Sequence, residues 1–514
     1  MAVIRGKPPW YAVPGLPDGV PALLRARAEG AAEALRQWHA HDRTVTVVHH
    51  IDADGVSAGA IAVAALRRAG SKHRTLAAKS LDDIHLDKIR AGTPEALWFC
   101  DFGSTAYMHF PTTPRLVCDH HELVRDGTEN DFPHVNPLLD DLPGDSISGA
   151  GCAYLVAAAL DAANTELLPI ALVGGAADLQ DRNGGFRGAN LALQKQGEAA
   201  GLLEVRRDLC WYGPDVRTVA KYLHMAREPD IPGLSGDRKA ADALVARLEI
   251  SPQTSGGTQP TWGELDAQER TTLTSAIVAQ FLDIGTPPAV IDELLRDVVR
   301  ITGEAPGTPM RELQSFGTLL NSTARYGRPE IGLAVAGGDR AGALDEAMQL
   351  LAGHRQHLAI AVGKMAARGI TNQGSIQWVN MEADVHDTVV GIVCGMALEG
   401  LSLRRDAPLL GLAYTPDGAT KVSSRAPGAL QGRVDLATAM RSAAAAVGGQ
   451  GGGHKGAAGA TIPRGRENEF LRIVEDIVAR QLGGSPQPAP GDTSAPSPGS
   501  TPMRKGQATL GEIY

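Results

Sequence analysis

Three times near the amino terminus, a short and almost wholly apolar run ends abruptly in aspartate and histidine. The runs are TVTVVHHIDADG at 44–55, ALWFCDFGS at 96–104 and RLVCDHHE at 115–122. Uninterrupted β-formers fit strands buried on both faces, as in a parallel sheet. The first run leads into GVSAGAIAVAALRRAG (55–70), an Ala-rich helix. Strand, acidic loop and helix together open a βαβ unit. Open parallel sheets bind ligands outside the carboxyl ends of their strands. Asp and His clusters at three such ends therefore predict an α/β fold with one polar site along one edge of the sheet.

Composition narrows what that site can do. At ~150 residues per domain, 514 residues make two to four domains. Hydrophobic residues are 43% and charged ones 21%, which excludes wholesale disorder and fibrous architecture. The net charge of −9 argues against general affinity for polyanions, so any nucleic acid must be held locally by metals and a few Arg, Lys and His residues. At 4% aromatic residues, base-stacking platforms are few. No apolar run reaches ~18 residues, so no membrane span or membrane partner is expected. MAVIRGKPPWYAVPG lacks an apolar signal core. The five scattered cysteines, Cys100, Cys118, Cys152, Cys210 and Cys394, have no CxxC spacing. That pattern points to the reducing cytoplasm and away from disulfides or a thiolate zinc site.

Further along, residues 22–41, 148–164 and 167–181 read as helices. Residues 232–262 look like a boundary, and 262–285 and 288–302 look like helices of an inserted module. A second α/β segment begins near 330 and runs to about 481. The Pro-, Ser- and Gly-rich stretch that follows has nothing to bury. The expected organisation is a first α/β domain at 1–230, a mainly helical insert at 231–328 and a second, smaller α/β domain at 329–482. A disordered linker at 483–506 and a short apolar tip at 507–514 complete it.

Imidazoles and carboxylates suit divalent ions such as Mn²⁺. In extended backbone, positions i, i+2 and i+4 share a face, which would let His50, Asp52 and Asp54 converge. Capping of the next helix by Asp is the plainer alternative. Asp101 ends an apolar strand, where a carboxylate is expensive without a metal or a helix N-terminus to compensate it. Asp119, His120 and His121 form a third cluster, with a solvated turn as the alternative. Asp178, with Asp181 nearby, forms a fourth, with a surface carboxylate as the alternative. Taken together, the four point to a two-metal centre, which needs one bridging carboxylate and terminal ligands on either side. VGGQGGGHKGAAGATI (447–462) offers backbone N–H groups and positive charge to an anion, or is a flexible loop. Ser424 and Arg425 in KVSSRAPG are candidate phosphate contacts.

DADG (52–55), Asp101, DHH (119–121), Asp178 and GGGH (451–454) resemble, in order, the motifs of the DHH phosphoesterase superfamily. MRELQSFGTLLNSTARYGRPEIGLAVAGGD (310–339) is similar to a segment of its archaeal RecJ-like, GINS-associated nucleases. The resemblance implies a parallel-sheet DHH metal domain and a DHH-associated substrate domain around a cleft. It implies two Mn²⁺, with Mg²⁺ as the alternative ion. His50, Asp52 and Asp101 would hold one ion, and Asp54, Asp101, His120 and Asp178 the other. Asp119 would support the metal shell and His121 would face the scissile phosphate. Gly451, Gly452, Gly453, His454, Ser424 and Arg425 would position the terminal nucleotide. His49 has no implied role.

The expected activity is metal-dependent exonucleolytic hydrolysis of single-stranded DNA in the 5′→3′ direction, in replication or repair. Alternatives are a 3′→5′ RNA exonuclease, an oligonucleotide or pAp phosphoesterase, and a replisome scaffold binding GINS. At the tail, Gln507, Leu510, Ile513 and Tyr514 follow the spacing of a sliding-clamp (PCNA) binding box, with Ile513 in place of the usual aromatic. A one-turn helix would gather Leu510, Ile513 and Tyr514 on one face.

Overall fold

The computed structural model describes residues 15–483, apart from 183, 210, 227–228, 251–258, 293, 416–417 and 431. The linker and the clamp-box residues Gln507, Leu510, Ile513 and Tyr514 lie outside the described residues. Among those described, no helix is long and apolar enough to cross a membrane.

The chain forms two compact units, residues 1–351 and 352–514. The first begins with α1 (Ala22–Ala40), β1 (Val45–His50), α2 (Ala53–Arg68), β2 (His73–Ala78), α3 (Asp83–Ala91) and β3 (Ala96–Cys100). β4 (Arg115–Cys118), β5 (His134–Val135), α4 (Gly149–Leu160), α5 (Leu168–Ala177) and α6 (Gly188–Ala199) follow. The strands form a sheet in the order β2-β1-β3-β4-β5 with every pairing parallel, as the apolar runs predict. Alternate side chains serve opposite faces. Val47, Trp98 and Leu116 join the core under α1, α2, α4 and α5. Val48, Phe99 and Val117 pack with Leu86, Tyr107 and Phe110 on the other side. Each such side chain contributes about 1.5–3 kcal/mol by leaving water. The Ala-rich α2 is buried along most of its length, and small side chains let α4 and α5 pack closely against it.

The rest of the first unit corrects several expectations. β6 (Leu203–Leu209) leads into α7 (Val219–His224), α8 (Arg238–Arg247), α9 (Ala267–Asp283) and α10 (Pro288–Asp292), and β7 (Leu295–Ile301) returns to pair antiparallel with β6. Residues 288–302 are thus a short helix and a strand rather than one helix. Charged residues hid the strand: Arg300, 3% exposed, is held by Asp215 at 3.4 Å and Asp208 at 3.8 Å. Residues 232–262 contain α8, which packs into a core of its own with Trp211, Tyr222, Trp262 and Phe281. α11 (Leu313–Arg325) and α12 (Pro329–Ala336) bury Phe316, Leu320, Ile331 and Val335 in the core of the first unit. The division therefore falls at 351, after the expected 329. α13 (Gly342–Arg368) spans it.

The second unit carries β8 (Thr371–Gln373), β9 (Ile376–Asn380), α14 (Val390–Gly400), β10 (Leu409–Tyr414) and β11 (Ala419–Arg425). α15 (Leu436–Ala446), β12 (Gln450–Gly453), β13 (Ala457–Pro463) and α16 (Glu467–Gln481) complete it. Its sheet runs β12-β13-β11-β10-β9-β8, antiparallel except between β9 and β10. Leu410, Leu412 and Val422 pack with α15 and α16, while Val379, Leu409 and Ala413 pack with α14.

Candidate metal centre

Each cluster follows the last residue of a strand or helix. His50 closes β1, Asp101 follows β3, Asp119 follows β4 and Asp178 caps the carboxyl end of α5. Asp52, at φ −73° and ψ −178°, is still extended, but Asp54 is helical, so the alternation argument fails at Asp54. Asp52 is the N-cap of α2, its Oδ1 accepting from Gly55 N at 2.9 Å, and Asp54 lies in the first helical turn. The capping alternative is correct, and the same turn still aims both carboxylates at the centre.

Three overlapping groups result: His50, Asp52 and Asp101; Asp54, His120 and Asp178; and Asp101, His120 and His121. His50 Nδ1 lies 2.9 Å from Asp52 Oδ2 and 3.5 Å from Asp101 Oδ2. His120 Nε2 lies 3.2 Å from Asp178 Oδ2, 3.5 Å from Asp101 Oδ1 and 3.7 Å from Asp54 Oδ2. Asp101 thus offers one oxygen to each histidine.

The tautomers are set by the other ring nitrogens. His50 Nε2 is 3.1 Å from the Lys79 carbonyl, and His120 Nδ1 is 3.0 Å from the Gly144 carbonyl. A carbonyl only accepts, so those nitrogens carry the protons and the facing nitrogens present lone pairs. Lone pairs then confront carboxylates across a buried space. His50 Nδ1, His120 Nε2 and both Asp101 oxygens are buried without a hydrogen-bond partner. Acceptors facing acceptors require a cation or extra protons between them. These residues fit divalent ions.

The electrostatics report the same shortage of positive charge. Burial, then the neighbouring Asp54 and Asp52 charges, push the Asp101 carboxyl well up from its ordinary value. Burial is also the largest influence on Asp178, which with the Asp54 charge moves up to about 6. Burial alone would lower His50 and His120, but the surrounding carboxylates outweigh it and raise both. Protons stand there where metal charge would.

Asp101 has φ +67°, the left-handed region, and its N–H donates to the Cys118 carbonyl at 2.7 Å. Such backbone costs roughly 1–3 kcal/mol and persists where its surroundings impose it. Asp54 is fixed by the N-terminus of α4: Gly149 N donates to Oδ2 at 2.7 Å and Ala150 N to Oδ1 at 2.9 Å. This is the favourable end of the helix for an anion.

Asp119 is occupied internally. Its Oδ1 accepts from His120 N, His121 N and His121 Nδ1 at 2.8, 3.1 and 2.9 Å, and its Oδ2 from Ser104 N at 3.1 Å. Burial is the largest influence on it and would raise it, yet these donors hold it below the carboxylate range. His121 remains 57% exposed. Burial works against its charged form, but the Asp119 hydrogen bond and charge prevail and raise it to about 9. His49 is a core residue: 1% exposed, its Nδ1 2.8 Å from the His50 carbonyl, and lowered to about 4 chiefly by burial.

In the second unit, Gly451, Gly452 and Gly453 are not a loop but the edge strand β12, which turns at His454–Ala457 into β13. Gly451 is required there because a Cβ would strike the Met440 carbonyl of α15. His454 is exposed at the turn. Ser424 is fully buried and donates its hydroxyl to the Ala458 carbonyl at 2.9 Å, so the structure places it in the sheet and not at a phosphate. Arg425 is half-buried, with Nη1 on the Ser424 carbonyl at 2.9 Å, and burial lowers it.

Sequence reasoning passed over several supporting residues. Asn321 Oδ1 accepts from Ala53 N at 3.0 Å, tying α11 to the acidic turn. Asn190 Nδ2 donates to Gln180 Oε1 at 2.6 Å beside His120. Ser104, His134 and Asn136 form a buried group behind Asp119. Of these, only Gln180 carried a signal, its place in DLQD beside Asp178.

Residues 371–480 match the DHHA1 domain, and residues 211–295 match the DHH-CID domain, which covers α7 to α10. The chain thus carries two domains described by DHH family models, over part of its length. An uncharacterized protein of Methanocaldococcus jannaschii is 24% identical over 456 residues, covering 86% of this chain and 95% of its own. RecJ of Thermus thermophilus, solved with Mn²⁺, is similar with a TM-score of 0.54 and 19% identity. That match covers 88% of this chain, which spans 55% of the Thermus chain. CDC45 of Entamoeba histolytica gives a TM-score of 0.59 at 10% identity, covering 88% and 99% of the two chains. Both likenesses are of fold alone.

Proposed function

We propose that this chain is a metal-dependent phosphodiesterase acting as an exonuclease on single-stranded nucleic acid, with 5′→3′ removal of DNA as the favoured direction. The observation that carries the reading is the confrontation of buried ring nitrogens and carboxylate oxygens around Asp101 that no hydrogen-bond partner satisfies. His50, Asp52 and Asp101 would hold one ion, and Asp54, Asp101, His120 and Asp178 the second. Two divalent ions there would supply the activation of water and the neutralisation of phosphate charge that in-line hydrolysis needs. Mn²⁺ is the proposed ion, since the similar RecJ structure contains it.

The chain's own residues do the rest. Asp54 and Asp119 are immobilised by backbone N–H groups, so the centre is preorganised. His121, exposed and with its Nδ1 committed to Asp119 Oδ1, presents its other ring nitrogen to a phosphate oxygen. His454, Arg425 and the backbone of β12 are proposed to grip the terminal nucleotide. GINS and a sliding clamp are proposed partners, the second through the tail.

The test is incubation with Mn²⁺ and single strands of DNA and RNA labelled at either end, beside the Asp101→Asn variant. Release of mononucleotides from the DNA 5′ end by the native protein alone is expected. Release from the other end, or from RNA, would revise the substrate. No product from any strand would overturn the hydrolase reading and favour a scaffold with the CDC45 fold.

A further inference from the structure

Behind His121 lies a hydrogen-bonded chain that no ligand role explains. His134 is 2% exposed, and Ser104 and Asn136 are fully buried. His134 Nδ1 lies 3.1 Å from the Glu129 carbonyl, so this nitrogen carries the proton and Nε2 is an acceptor. Ser104 Oγ, 2.9 Å away, donates to Nε2. With its one proton committed, Ser104 Oγ accepts from Asn136 Nδ2 at 2.9 Å. Asn136 Nδ2 also donates to the His121 carbonyl at 3.0 Å, and its Oδ1 accepts from Leu138 N at 2.9 Å. The Ser104 backbone N–H meanwhile donates to Asp119 Oδ2, the partner carboxylate of His121. Every donor and acceptor is thus used once and in one sense only.

We infer that Ser104, His134 and Asn136 are positioning residues that hold His121 in register with the metal centre. Asp119 fixes the His121 ring, and Asn136 fixes its main chain. The Ser104–His134 pair joins the His121 carbonyl and the Leu138 N–H in setting which way the Asn136 amide faces. A reversed amide would set its carbonyl oxygen against the His121 carbonyl and its NH2 against the Leu138 N–H, and the hydroxyl orientation dictated by His134 makes Ser104 Oγ an acceptor that favours the form seen. Networks satisfied throughout rigidify a site, whereas half-satisfied ones do not. The inference rests on the hydrolase reading, because His121 matters only if a phosphate meets it.

The experiment uses the full chain with Mn²⁺ and three variants: Ser104→Ala, Asn136→Asp and the double variant. Asn136→Asp keeps the acceptor for Leu138 N and removes both donors. Ser104→Ala keeps the backbone contact to Asp119 and guards against Asn136→Asp failing to fold. Displacing a phosphate-facing group by a fraction of an ångström should lower kcat about ten- to a hundred-fold. KM and the calorimetric affinity for Mn²⁺ should change less than about two-fold, and the double variant should be no worse than the poorer single one, as expected for groups acting in one chain. Unchanged kcat per folded molecule in Ser104→Ala, or additive losses, would overturn the inference. A collapse of Mn²⁺ affinity would also overturn it, since the group would then act on the ligands. Nitrogen-15 spectra of the imidazoles separate this from failure of the hydrolase reading. His134 should show the Nδ1–H tautomer, and the His121 signal should broaden in Ser104→Ala whether or not the native protein turns over substrate. A His121 signal identical in both proteins would overturn the inference by itself.

Discussion

Gly149 presses so closely on Asp101 that a Cβ added to it would lie 2.6 Å from both the Cβ and the Oδ1 of that aspartate. The same glycine donates its N–H to Asp54. One residue without a side chain therefore sets the spacing of two proposed ligands. Gly149→Ala should displace Asp101 and weaken Mn²⁺ binding by at least an order of magnitude, while far-ultraviolet circular dichroism stays native. Calorimetry with Mn²⁺ checks this. Native affinity in the variant would mean that Asp101 does not bridge.

Asp101→Asn should separate metal binding from folding. Asp101 is buried among like charges, so its carboxyl rises, and above its unfolded value the ionised form opposes folding. In chelator, the amide variant should be more stable than the native chain by about 1–3 kcal/mol, the range for relieving a buried uncompensated charge. With Mn²⁺ the order should reverse, because only the native chain gains stability by binding. Urea unfolding midpoints in EDTA and in Mn²⁺ measure both.

His134 gives a pH dependence with a definite sign. Burial, the largest influence, lowers it from 6.5 to about 4. Below pH 6.5 the unfolded chain takes up a proton that the folded chain refuses. Stability present above pH 6.5 is therefore lost as pH falls towards 4, by about 3 kcal/mol across the window. His134→Gln should lack this portion of the acid limb. Urea midpoints of the two proteins between pH 7 and 4, in chelator, should converge as pH falls.

Ser424 and Arg425, adjacent in sequence, should behave differently. Ser424→Ala removes a buried hydrogen bond to Ala458 and should cost about 1 kcal/mol of stability with KM unchanged. Arg425→Ala should raise KM for single strands and leave Mn²⁺ affinity alone. Steady-state kinetics with parallel thermal melts decide this. An equal rise in KM in both variants would restore Ser424 as a substrate contact.

Deletion of residues 506–514 should leave hydrolysis of short oligonucleotides unchanged and abolish binding to the cognate sliding clamp. Leu510→Ala and Tyr514→Ala should each weaken that binding more than Glu512→Ala, since apolar anchors dominate such plugs. A calorimetric titration against the clamp is the measurement. Equal binding by full-length and truncated chains would remove the box.

The strand ends were legible because Val47, Phe99 and Val117 belong to almost wholly apolar runs, so the first Asp or His marks where the strand gives way to the polar centre. Asp54 was placed for the wrong reason. The chain turns helical at Ala53, and the residue reaches the centre from a helical turn supported by α4, a contact far away in sequence. The pairing of β6 with β7 was hidden for a related reason. Arg300 reads as a surface charge until Asp208 and Asp215 close around it. The three glycines before His454 read as a loop because the carbonyl that excludes a side chain at Gly451 belongs to α15. Local periodicity carries local burial, and it carries no record of distant partners.

The order of the proposed ligands along the chain governs when the centre can come into being. His50, Asp101 and His120 arrive with successive strands of one sheet, but Asp178 arrives only at the end of α5, and Asp54 is clasped only once α4 has formed. A chain emerging from the ribosome would therefore present isolated histidines and aspartates until that helix pair docks. A nascent fragment ending before α5 can build much of the sheet and still lack a complete ligand set. On the proposed ligand set, assembly of the second ion site is thereby withheld until synthesis has passed the last ligand.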